Sequence, residues 1–230
     1  MSTMQTTPNW VWLLLVGAVF GVSSAGAIFQ QVDDVPPLLR ASWRLQLTSL
    51  VLAPLALIQW YSHGHKIKHR FFEKHTLMWL FAGGLFLALH FGAWVASLDE
   101  TSLTHSLLFV TAHPLIIVFG MFLIARLVIN FQEPSNLEII GACVGFTGAA
   151  LALLDLGDQQ GDRTVTAWGD FLAFLGALFV VGYIVSGRGL RKWMPIFLYA
   201  FPVTLIGALL LIPASYFLES EFSEFGVFGW

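Results

Sequence analysis

The 230-residue chain has one cysteine and very little charge. Cys143 lies inside an apolar run, so no intrachain disulfide can form and the redox compartment is unreadable. Only 11% of the residues are Asp, Glu, Lys or Arg, against about a quarter in soluble domains, and this excludes an ordinary water-soluble globule. The first nine residues, MSTMQTTPN, hold no Lys or Arg. The basic start of a cleaved signal peptide is therefore missing, and the first apolar run is expected to be retained. A glycine-rich phosphate loop, a zinc-ligand spacing and a nucleophile elbow are all absent. No acid/base pair recurs across the apolar runs, which argues against an enzyme. No cofactor, metal or nucleic-acid partner is expected.

What fills the chain instead is apolar: 57% of it is hydrophobic. The few charges cluster between long apolar runs. An apolar run of about 20 residues spans the hydrocarbon core as a helix, and the helix is forced because lipid offers no partner to a bare peptide group. Seven such spans are expected, at 10–30, 37–60, 77–98, 104–126, 136–154, 168–187 and 195–217. The fold class is thus all-α, a polytopic membrane bundle whose first partner is the lipid bilayer. Lys66, Lys68, Arg70, Lys74, Arg126, Arg188, Arg191 and Lys192 fall in alternate links, against Arg40, Arg44 and Arg163 opposite. That bias puts the N-terminus in the cytosol and the far end of the chain outside; which membrane is left open.

Several local patterns carry structure. Gly17, Gly21 and Ala25 form a small-residue stripe, read mainly as a helix–helix contact; Ser23 and Ser24 lie beside it, and Ser24 is a candidate cavity residue. Pro36 and Pro37 suit a helix start, with Asp33 and Asp34 favourable near its N-terminus. Arg40 and Arg44 lie one turn apart and are read as snorkelling to the headgroups and pairing with those aspartates; a charge inside a span is otherwise a functional candidate. His63, His65, His69 and His75 are irregularly spaced and read as a solvated basic loop. Ser135 and Glu138 form a capping box. Gly141, Gly145 and Gly148 read as a packing face.

Two stripes place polar groups deep in spans. His90 and Trp94 share one with Gly83 and Ser97, while His113 shares the other with Ser106 and Gly120. Pro114 opens a kink beside His113. Each histidine is weighed as a substrate or proton contact against a plain interhelical hydrogen bond. Tyr183 and Trp94 offer flat apolar contact with a polar tip.

The segments GAWVASLDETSLTHSLL, AHPLIIV with Pro114, Glu133, and EIIGACVGFTGAALALL together resemble the EamA-type repeat of the drug/metabolite transporter superfamily. The likeness covers about 10–217 and is diffuse; the link around Glu133 is longer than usual. Arg44 matches the Arg that this family often places in its second span. The resemblance implies secondary transport of a small solute by alternating access, with no covalent step, and two five-helix repeats of opposite orientation. Sliding 10–57 onto 169–216 without gaps supports the repeat, pairing Gly17 with Gly176, Phe20 with Phe179, Pro36 with Pro195 and Pro54 with Pro213. The expected organisation is a first five-helix repeat over 1–155 and, over 156–230, the first two helices of an inverted second repeat with an acidic tail. The remaining three helices would need about 231–313, so a truncated chain is expected. The expected cavity residues are Ser24, Arg44, His90, Trp94, His113 and Tyr183. The solute, coupling ion and oligomeric state stay open, a homodimer included. The alternatives are a non-transporting membrane protein or an inactive fragment and, more remotely, a seven-helix receptor. Span 7 holds no lysine for a retinal Schiff base, and the charge bias runs against a receptor.

Overall fold

The computed structural model describes residues 8–32, 34–127, 134–155 and 164–219. Among these the regular structure is entirely helical. The helices are α1 (Asn9–Gln30), α2 (Pro37–Ser62), α3 (His65–Phe71), α4 (Lys74–Glu100), α5 (Leu103–Thr111), α6 (His113–Leu127), α7 (Asn136–Asp155), α8 (Ala167–Arg188) and α9 (Ile196–Leu218), with a 3₁₀ turn at Leu190–Lys192. Six stretches are long and apolar enough to cross a membrane: α1, α2, α4, α5–α6, α8 and α9. The chain is an integral, multi-pass membrane protein. Each of the seven expected spans is helical to within a few residues, although α7 is not one of the six. The region of Glu133 and the link around Arg163 lie outside the described residues.

Local chemistry sets the helix ends. Pro36 precedes α2 in an extended conformation and Pro37 opens it, where the missing N–H would have had no helical partner. Ser135 and Glu138 close the expected capping box before α7: the Ser135 N–H donates to Glu138 Oε2 at 2.7 Å, and the Glu138 N–H to Ser135 Oγ at 3.3 Å. Thr166 caps α8 by accepting from the Gly169 N–H at 3.0 Å. Between α5 and α6 the helix breaks at Ala112, two residues before Pro114. Proline has no N–H to offer the Val110 carbonyl. His113 replaces it, donating from Nδ1 to that carbonyl at 3.2 Å.

α4 is the centre of the bundle, packed against α2, α8 and α9. Its buried Leu80, Leu87, Val95 and Leu98 supply the apolar contact. Glycine decides how closely its neighbours come. A methyl at Gly84 would stand 2.5 Å from Ile206 Cγ2, and one at Gly169 would stand 2.7 Å from the Glu100 backbone. Such close approach drives helix association where lipid removes the hydrophobic term. Two expected packing faces meet no close neighbour among the described residues. The Cβ positions of Gly17, Gly21, Gly141, Gly145 and Gly148 meet no atom of the described residues within 4 Å, whereas Gly26 abuts Leu103 of α5. A small-residue stripe marks where a helix can approach but does not choose the face that it uses.

The expected solvated loop is partly helical. It forms α3, with the Lys68 ammonium 5.5 Å from the Trp60 ring and the Arg70 guanidinium 4.2 Å from Trp193. Contacts at the helix ends fix several directions. α4 and α8 run antiparallel, since Thr166, before α8, donates to the Glu100 carbonyl that ends α4. α2 and α9 are antiparallel too, and they exchange caps. Glu219, after α9, accepts from the N–H groups of Leu38 and Leu39 at 2.6 and 3.2 Å. Gln59, near the end of α2, accepts from those of Phe197 and Leu198 at 2.9 and 3.2 Å. Each helix thus satisfies two of the orphan donors that begin the other.

Candidate functional site

Three of the six expected cavity residues meet in one place, where α1, α2 and α4 come together. Arg44 extends from the second turn of α2 into a set of aromatic rings. Its guanidinium carbon lies 4.4 Å from the centroid of Phe91 and 5.5 Å from those of Phe29 and Trp94. Phe29 stands edge-on to Trp94 at 5.9 Å. His90 stacks on Trp94, with centroids 6.2 Å apart and planes at 11°. His90 Nδ1 donates to the Gly176 carbonyl of α8 at 2.8 Å. A carbonyl can only accept, so Nδ1 carries the proton and the ring is pinned between α4 and α8.

The α helix geometry explains the gathering. His90, Phe91 and Trp94 lie within one turn and a half of α4, so they cover one sector of its surface. Arg44 comes from the antiparallel α2, about 10 Å below its start at 1.5 Å per residue. Phe29 belongs to the last turn of α1. The site therefore sits below the end of the bundle where α1 and α4 finish and α2 begins.

Arg40 closes that end. Its side chain is 2% exposed and forms an ion pair with Asp99 of α4. It also donates to the Phe29 carbonyl at 2.7 Å. The expectation paired Arg40 with the link aspartates. Asp33 lies outside the described residues, and the partner across the bundle is Asp99. This contact was missed because a separation of 59 residues leaves no periodic trace. The aromatic partners Phe29 and Phe91 were missed as well; their only signal was ring content beside a buried cation.

The other three expected residues stand apart. Ser24 turns its hydroxyl back to the Gly21 carbonyl of its own helix, at 3.3 Å. His113 is half-buried and bonded within its own chain turn. Tyr183 stacks on Tyr199 at 6.3 Å, between α8 and α9 near the end where α8 finishes. A separate polar group ties the starts of α5 and α8: Asp170 accepts from Thr101 Oγ1 at 2.9 Å and from His105 Nδ1 at 3.2 Å.

Between α1 and α2 a crevice of about 640 Å³ opens beside Arg44, walled by Gly21, Ala25, Phe29 and Leu47. Its size suits a small organic solute. Among the described residues no group of His, Cys, Asp and Glu could hold a metal ion. No family model matches the chain, and neither a curated protein nor a solved structure matches it.

Proposed function

We propose that the chain is a secondary transporter of a small solute, built on the inverted repeat of the drug/metabolite type. The observation that carries this reading is the exchange of caps between α2 and α9. Leu38 and Leu39 correspond to Phe197 and Leu198 when 10–57 is aligned with 169–216. The two helices therefore begin with the same extended proline, Pro36 or Pro195, and are capped at equivalent donors by the opposite helix. Two-fold equivalence of this kind is expected where two repeats face each other across a membrane-plane axis.

Chain direction supports the same reading. α1 and α4 finish at the end where α2, α5 and α8 begin, by the Phe29–Trp94, Arg40–Asp99 and His105–Asp170 contacts. The pair α1–α2 thus runs opposite to the pair α8–α9. For α8 to start at the end where α5 starts, the chain must cross back between Leu127 and Ala167. α7 is the described helix available for that seventh crossing. The sign of the links supports a cytosolic α3 side.

In this reading the solute enters the crevice between α1 and α2 and contacts Arg44, with His90 and Trp94 behind it. Transport then needs two gated states around that site and no covalent chemistry. The test has two arms. Single cysteines at His65 and Gln160, in a Cys143→Ser background, should react with an impermeant reagent from opposite sides. Purified protein in proteoliposomes should accelerate uptake of a solute from a mixed metabolite pool, and Trp94→Ala should abolish it. Labelling of both cysteines from one side, or no uptake of any pool member, overturns the reading.

A further inference from the structure

We infer that the Arg44 crevice binds an organic anion, a carboxylate or phosphate group carried on an apolar body. The inference rests on the proposed transporter only for what the binding would serve. Its own evidence is a mismatch between donors and acceptors. Arg44 Nη1 and Trp94 Nε1 are both buried with no hydrogen-bond partner. Trp94 as a residue is only 6% exposed, and buried polar groups are ordinarily paired. Both donors belong to the same cage, the guanidinium standing 5.5 Å from the Trp94 ring. Among the described residues no carboxylate lies within ion-pair distance of Arg44. The neighbouring Arg40 already holds Asp99 and the Phe29 carbonyl.

The missing component is therefore an acceptor, and a negative one. Arg44 is the side chain through which an anion in the crevice is met, with Trp94 standing behind the guanidinium and outside the crevice wall; a guanidinium only donates, so its counterpart is an acceptor. The rest of the ligand is set by the walls. Gly21, Ala25 and Leu47 are apolar, Phe29 offers a ring, and the crevice opens between α1 and α2. A flat or aliphatic body completes the match. The same chemistry reaches the site from water as an aromatic carboxylate or from the bilayer as a fatty acid.

The test uses the full chain in phosphatidylcholine nanodiscs with radiolabelled benzoate, and oleate as competitor. Saturable benzoate binding is expected, weakened at least tenfold in Arg44→Gln. In the native protein, benzoate should slow phenylglyoxal modification of Arg44, located by mass spectrometry, at least tenfold; this arm stands even if Arg44→Gln fails to fold. Displacement by oleate assigns the anion to the bilayer, and displacement by benzoate alone assigns it to water. Equal benzoate binding in the native protein and Arg44→Gln, or unprotected Arg44, overturns the inference. Flux plays no part in these readouts. Saturable binding without uptake would refute the transporter alone, and uptake without anion binding would refute the anion site alone.

Discussion

Replacing Arg40 by Met is the sharpest probe of what holds the α1–α2–α4 end together. The side chain is almost fully buried, and its partner Asp99 is about a quarter exposed. Removing one member of a buried pair costs about 3–5 kcal/mol, because the other charge loses the ion that compensates it. The partial exposure of Asp99 places the cost near the lower value. The lost bond to the Phe29 carbonyl adds about 1 kcal/mol. The expected total of about 4 kcal/mol is roughly a thousandfold in the unfolding constant at about 1.4 kcal/mol per tenfold. The double variant Arg40→Met, Asp99→Leu removes both charges and keeps apolar volume. It should recover all but about 1–2 kcal/mol, since apolar replacement of a whole buried pair is often neutral. Reversible unfolding in mixed micelles, followed by far-ultraviolet circular dichroism, gives all three corners of the cycle with Asp99→Leu as the fourth. The reasoning fails if Arg40→Met alone lies within about 1 kcal/mol of the native protein, or if the double variant is no more stable than the single.

Three other outcomes are expected. Gly169→Ala forces a methyl against the Glu100 backbone and Thr101, which no rotamer change relieves, so destabilisation of about 1–3 kcal/mol should appear in the same unfolding assay. Gln59→Leu strips the acceptor from two α9 donors and Glu219→Leu does so for α2; each should cost about 1–2 kcal/mol, and Glu219→Gln, which keeps an acceptor, less than half of that. His113→Ala leaves the Val110 carbonyl without its donor and should lower stability by about 1 kcal/mol, while Pro114→Ala in the same background restores a main-chain donor and should return most of the loss; a His113→Ala variant as stable as the native protein would show that the His113 bond carries no weight.

The sequence made helix positions legible because lipid leaves the backbone one choice and length reveals each crossing. Ser135 and Glu138 were legible for a local reason, since a capping box is complete within four residues. The prolines at 36 and 37 were legible because they state their own backbone angles. The site was legible only in part. Arg44, His90 and Trp94 stood out as polar groups inside apolar runs, which are costly wherever they occur. Their aromatic partners did not, because Phe29 and Phe91 look like any lipid-facing ring. The glycine stripes misled for a related reason. Gly141, Gly145 and Gly148 share a face that could accept a helix, yet the partner surface is a property of another segment. Ser24 was chosen for lying beside a stripe and Tyr183 for its ring and polar tip, and each meets a neighbour of its own instead.

Arg44 shows what the cage leaves unsettled. Taking a guanidinium out of water costs several kcal/mol even after the surroundings relax. Each aromatic face returns about 0.5–2 kcal/mol, with the larger values reserved for close, desolvated contacts. Here one ring is close, at 4.4 Å, and two stand at 5.5 Å. Three faces at these distances offset a large part of the burial and leave the buried Nη1 donor unbonded. Arg40, one turn away, is treated differently: it has a carboxylate and a carbonyl and is sealed in. Two arginines on one helix face thus divide the work. Arg40 fastens α2 to α4 and α1, and that fastening holds Arg44 at the crevice with part of its binding capacity unused. Exchanging the two environments by placing a carboxylate beside Arg44, as in Leu47→Glu, should fill that capacity from within. Such a chain is expected to be at least as stable as the native one and to lose benzoate binding; retained binding would mean that the anion is held elsewhere.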